Sequence, residues 1–135
     1  MEYLKVPAKV DLLEEVLSFA DRFLEKNGCS KREQMKIRLA VEEVFVNVAS
    51  YAYTPLEGDV TITLEMENEP RGVKIEMIDS GRPFDPVARE EADTSEEALM
   101  AREGGLGILL VKSMMDEVSY TFEEGRNRLV MRKML

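Results

Sequence analysis

The sequence predicts an α+β fold, a two-layer α/β sandwich in which a mostly antiparallel mixed sheet carries helices on one face. Three observations predict it. Two amphipathic helical patterns stand near the N-terminus. Strict alternation of apolar and polar residues marks two adjacent segments in the middle of the chain. A third helical pattern is followed by two closing strand patterns. Helices and strands that each have one apolar face bury those faces by stacking in layers.

The elements follow in order. YLKV near the start is a short strand, closed by Pro7. From Lys9 to Lys26, Val10, Leu13, Leu17, Ala20 and Leu24 recur at intervals of three and four, with Phe19 and Phe23 beside them, and Asn27-Gly28 is a C-terminal stop. Ser30 and Glu33 fit a capping box, which opens a second helix running to about Tyr53, where Thr54 precedes Pro55 and is pushed out of helical geometry. Its apolar stripe is Ile37, Ala40, Val41, Val44 and Val48.

DVTITLEME, residues 59–67, alternates with period two, and Val73, Ile75 and Met77 repeat the pattern after Asn68-Glu-Pro-Arg-Gly72, so the pair is a hairpin. A loop opens at Asp79. Residues 85–104 are polar and weakly patterned, with Thr94 and Glu97 as a capping box for one short helix. A stretch of this length inside a small domain reads as a functional lid or as disorder. Glycines then lead into a helix over 107–116, and SYTFEE and RLVMRK are strands joined at Gly125-Arg-Asn127.

The 135 residues, without a linker-like or repetitive tract, are expected to form one domain, 1–135. Neither a secretory leader nor an apolar run long enough to cross a membrane is expected, and Cys29, standing alone, has no internal disulfide partner, so the expected location is cytoplasmic. Eighteen basic against twenty-seven acidic residues give a net charge of −9, which would repel a phosphate backbone. No direct nucleic-acid partner is expected. The chain contains no histidine, which removes phosphohistidine chemistry, histidine-based triads and histidine metal ligands.

Three motifs carry chemistry. In VEEVFVNVASYAY, Glu43 and Asn47 lie four residues apart on the shoulder of the helical stripe, an arrangement that suits a base beside an oxygen ligand for Mg²⁺ and equally suits a solvated helix face. At the end of the second hairpin strand, Asp79 could accept a hydrogen bond from an exocyclic amine and Gly81 lets a flat ring approach the backbone; an ordinary Asp-x-Gly turn reads the same way. Gly104-Gly105-Leu106-Gly107 puts bare backbone N–H groups at a helix N-terminus, a cradle for phosphate or a flexible hinge.

Together and in this order, with a lid between the last two, the motifs resemble those of the GHKL (Bergerat-fold) ATPases, and within them the small bacterial anti-sigma factor serine/threonine kinases. VEEVFVNVASYAY is similar to the N box, IDSGRPFDP to the first glycine box and EGGLGILLVKSMMDEV to the second. The resemblance spans nearly the whole chain. It implies the Bergerat ATP-binding fold, with Glu43 as general base, Asn47 as Mg²⁺ ligand, Asp79 and Gly81 on adenine, and Gly105, Leu106 and Gly107 against the phosphates.

The chain departs from the pattern at Pro83, where a second glycine is common, and in the last strand, which lacks the threonine that many relatives place near adenine. Arg82, Arg89, Arg102 and Lys112 could neutralise phosphate charge or simply lie on a solvated surface.

The implied function is ATP- and Mg²⁺-dependent phosphorylation of a serine or threonine on a STAS-type anti-sigma antagonist, alternating with sequestration of a sigma factor. The resemblance also admits a homodimer. A complete histidine kinase is not expected from a chain without histidine. Two alternatives stay open: a nucleotide-binding partner-switching module without kinase activity, which Glu43 disfavours, and a nucleotide-free interaction domain, which the glycine run disfavours.

Overall fold

A computed structural model of the protein describes residues 1–51, 58–83 and 107–135. Strand β1 (Glu2–Pro7) leads through a 3-10 turn (Val10–Leu12) into α1 (Leu13–Lys26) and α2 (Lys31–Tyr51). There follow β2 (Asp59–Glu67), β3 (Gly72–Asp79), α3 (Gly107–Met114), β4 (Glu117–Glu123) and β5 (Arg126–Met134). The described elements follow the predicted order; the short helix expected within 85–104 lies outside the described residues. The five strands form one sheet, β1-β2-β3-β5-β4, and every pairing is antiparallel. Among the described residues the predicted mostly antiparallel sheet therefore has no parallel pair.

Alternation decides which face of the sheet is covered. Val60, Ile62 and Leu64 of β2, Val73, Ile75 and Met77 of β3, and Leu129 and Met131 of β5 are buried in one cluster with Val16, Leu17, Ala20 and Leu24 of α1 and Ile37, Ala40, Val41 and Val44 of α2. This is the predicted two-layer arrangement. The α2 stripe is wider than the sequence reading had it: Phe45 is fully buried, whereas Val48 is only partly buried against the core.

The opposite face is solvated and laced with charge. Glu76 accepts from Arg128 Nη2 at 2.7 Å and pairs with Lys74 Nζ at 3.0 Å. Burial alone would raise the Glu76 carboxyl, but the hydrogen bonds and charges of Arg128 and Lys74 outweigh it and hold the group below the ordinary glutamate range.

Local chemistry sets the helix ends. The first helix begins at Leu13 rather than at Lys9, because no side chain caps the entry and the backbone turns first through Leu12 N–H to Lys9 O at 2.9 Å. It ends where predicted. Gly28 has φ +74°, its N–H donates to Glu25 O, and Cys29 N–H donates to Leu24 O, the paired closure of a Schellman motif. Cys29 is buried just beyond, and its thiol is pushed up first by that burial and then by Glu33, with Arg71 opposing.

The capping box of α2 is complete: Glu33 N–H donates to Ser30 Oγ at 3.1 Å and Ser30 N–H to Glu33 Oε1 at 2.9 Å. Replacing Ser30 by alanine leaves one of these donors to water and is expected to cost about 1 kcal/mol of stability, measured by urea unfolding. The predicted stop at Thr54-Pro55 lies outside the described residues.

The closing hairpin differs from its predicted form. Glu123 pairs with Arg126, so the turn is the two residues Glu124 and Gly125, at φ 52° and 75°. Two successive positive φ values match the right-handed twist of the flanking strands, which is why so tight a turn closes them. Asn127 is consequently a strand residue and not part of the turn.

Candidate active site

α2 carries Glu43 and Asn47 one helical turn apart, both half-buried at the margin of the core, as the spacing predicts. Burial, reinforced by the neighbouring Glu42 carboxylate, pushes the Glu43 carboxyl up from its ordinary range. A carboxylate in that state holds a proton more tightly than one in water, which is the property a general base needs. α2 packs against α3, whose first residue is Gly107. The helix with the carboxylate-amide pair and the helix that starts in the glycine run are thus direct neighbours. Gly105, Leu106, the expected 85–104 lid and Thr94–Glu97 capping box, Arg89 and Arg102 lie outside the described residues.

Asp79 ends β3 and is 5% exposed, one of two polar residues buried among the described ones. Its Oδ1 accepts from Gly81 N–H at 2.9 Å and from Asn127 Nδ2 at 2.9 Å. The first bond is the Asp-x-Gly turn of the sequence reading. The second was not legible from the motif. Asn127, the other buried polar residue, also donates to Arg82 O at 2.8 Å, and its own oxygen accepts from the Tyr120 hydroxyl. The signal existed in the sequence: Asn127, Leu129 and Met131 share one parity, so a two-residue turn at Glu124-Gly125 would have set Asn127 on the core side of β5.

Both bonds to the Asp79 carboxylate from described residues fall on Oδ1, so the turn and a ligand contact through Oδ2 are compatible. Arg82 is exposed and Lys112 is half-buried on α3. An open recess of about 590 Å³ adjoins Asp79, but Lys5, Thr61 and Ile78, which line it, alternate away from the core. It belongs to the solvated face of the sheet.

No three His, Cys, Asp or Glu side chains gather among the described residues in a way that could hold a metal ion. A cation at the Asn47 oxygen would draw its remaining ligands from phosphate and water, as Mg²⁺ does at nucleotide sites. Also among the described residues, no helix is long and apolar enough to cross a membrane.

Comparison with known proteins agrees with this arrangement. The family described as the histidine kinase-like ATPase domain matches residues 6–133. The chain is similar to the serine-protein kinase RsbW of Listeria monocytogenes serovar 1/2a, with 29% identity over 126 residues, which cover 90% of this chain and 80% of the relative. Its fold is similar to that of the RsbU and RsbW domains of a Mycobacterium tuberculosis protein, with a TM-score of 0.68 at 14% identity, covering 100% of this chain and 33% of that one. It is likewise similar to a chain in the SiaB-SiaC complex from Pseudomonas aeruginosa, with a TM-score of 0.57 at 17% identity, covering 100% of this chain and 90% of the other. A match from Val6 to Lys133, on a sheet and helices of the expected order, leaves one conclusion: the chain belongs to the histidine kinase-like ATPase domain family.

Proposed function

We propose that this protein is an ATP-dependent serine/threonine protein kinase whose substrate is a STAS-type anti-sigma antagonist, and that it sequesters a sigma factor when the antagonist is phosphorylated. The observation that carries the kinase reading is Glu43: a half-buried carboxylate of raised proton affinity, one turn from Asn47, on a family scaffold shared with the RsbW serine-protein kinases. A module that bound nucleotide without transferring phosphate would have no use for a base there.

In this reading Asp79 accepts from the exocyclic amine of adenine, and Gly81 gives the ring room against the loop. Backbone N–H groups of Gly105, Leu106 and Gly107 hold the phosphates, and the two glycines add no side chain to obstruct them. Asn47 would hold Mg²⁺ through its amide oxygen, and the ion would supply positive charge to the phosphates. Glu43 accepts the proton of the incoming serine or threonine hydroxyl as its oxygen bonds to the γ-phosphorus, and the bond from that phosphorus to the ADP leaving oxygen breaks. The 85–104 segment serves in this reading as the ATP lid.

The test follows labelled γ-phosphate from ATP onto a purified STAS-domain partner. Transfer to a serine or threonine is expected, with ADP as the other product. Binding of both ATP and partner without transfer would replace this reading by nucleotide-gated partner switching. Asn47→Ala removes an oxygen from the metal and is expected to weaken Mg²⁺-ATP binding and to abolish transfer, both read in the same assay with calorimetry alongside.

A further inference from the structure

The buried side chain of Asn127 has partners that dictate its chemistry. Its Nδ2 donates to Asp79 Oδ1 at 2.9 Å and to Arg82 O at 2.8 Å, with Gly81 O farther off at 3.4 Å. Its Oδ1 accepts from the Tyr120 hydroxyl, on the neighbouring strand β4. Three oxygens around one end and a hydroxyl at the other fix which way the amide points. Toward the described residues the site uses two donors and one acceptor in a short planar group. Threonine or serine offers a single proton, aspartate offers none and would set a second carboxylate against Asp79, and glutamine is one methylene too long for a residue 5% exposed.

The consequence falls on Asp79. With Gly81 N–H also on Oδ1, that oxygen is engaged by two donors, and rotation of the carboxylate would sacrifice both. The bond to Arg82 O ties the same loop down three residues further on. We infer that Asn127, held by Tyr120, is a positioning residue that turns Asp79 Oδ2 toward the nucleobase and thereby sets the preference for a purine carrying a 6-amino group. This rests on the nucleotide reading of the Asp79 loop proposed above. Asn127 need not touch the nucleotide; it acts through the carboxylate.

A structural role alone would lower affinity for every nucleotide alike, so the informative quantity is a ratio. Calorimetry on the full chain with Mg²⁺ compares ATP with purine riboside 5′-triphosphate, which lacks only the 6-amino group. The wild type is expected to prefer ATP by roughly tenfold or more. Asn127→Leu, of nearly the same size, is expected to bring the two nucleotides within about threefold of each other, and Tyr120→Phe to reduce the preference by a smaller factor. Should Asn127→Leu fail to fold, Tyr120→Phe, which keeps the ring and its packing, carries the test. A preference unchanged in the folded variants, with both affinities lowered equally or not at all, would overturn the positioning role and leave adenine reading by Asp79 intact. A wild type that binds both triphosphates equally would overturn amine recognition by Asp79, and this inference with it.

Discussion

Glu43→Gln is expected to bind Mg²⁺-ATP as the wild type does and to transfer phosphate roughly 10²–10⁴-fold more slowly. Glutamine keeps the shape of the side chain and one acceptor oxygen but cannot take up the hydroxyl proton. Single-turnover transfer of labelled phosphate, with ATP affinity measured separately, reads the two effects apart. Transfer at the wild-type rate would remove the base from Glu43.

The pH profile supplies a second signature. In its proposed role as base Glu43 works deprotonated, and burial with Glu42 raises its proton affinity, so activity is expected to fall with decreasing pH while still above the ordinary glutamate value of about 4.3. Stability follows from the same shift with the opposite outcome for the variant. A carboxyl whose folded-state affinity is raised contributes stability fully present below the unfolded value and lost as pH rises through the folded one. At neutral pH the wild type carries that cost and Glu43→Gln does not. The inactive variant is expected to melt at a higher temperature than the active protein, and the difference should shrink as pH is lowered.

Asp79→Asn is expected to weaken ATP binding by about 1–3 kcal/mol, roughly five- to 150-fold, with the fold preserved. The network explains why the effect is confined to the ligand. Gly81 N–H and Asn127 Nδ2 both point at Oδ1, so the asparagine side chain settles with its oxygen there and its amino group where Oδ2 was. In the proposed site a donor would then face the adenine amine, itself a donor. Calorimetry against ATP measures the loss, and an unchanged unfolding midpoint distinguishes it from general damage. Wild-type affinity in this variant would take adenine recognition away from Asp79.

What the sequence disclosed and what it withheld divide by range. The Ser30–Glu33 box, the Asn27-Gly28 stop and the β2–β3 hairpin were legible because each is decided within a few residues, by a hydroxyl, a positive φ or an alternation. The pairing of Glu43 with Asn47 on a half-buried helix shoulder followed from the helical period alone. The raised proton affinity of Glu43 did not, since it depends on how much of the side chain the tertiary structure covers. Asn127 was missed because its role is set across 48 positions of sequence, by the register that places it opposite Asp79. That register in turn hangs on a hairpin one residue tighter than Gly125-Arg-Asn127 suggested.

The strand order has a consequence for biosynthesis. β3 occupies the middle of the sheet, with β2 on one side and β5 on the other. β2 is its neighbour in sequence and is available as soon as the hairpin forms, but β5, nine residues from Arg126 to Met134, follows all the other described strands. A nascent chain that has emerged only as far as Glu123 therefore holds a central strand with one open edge and an unfinished apolar face, the surface on which another unfinished chain can pair. A chain cut before Arg126 is therefore expected to aggregate and not to fold into a weakened form of the domain, which light scattering of the truncated protein would measure.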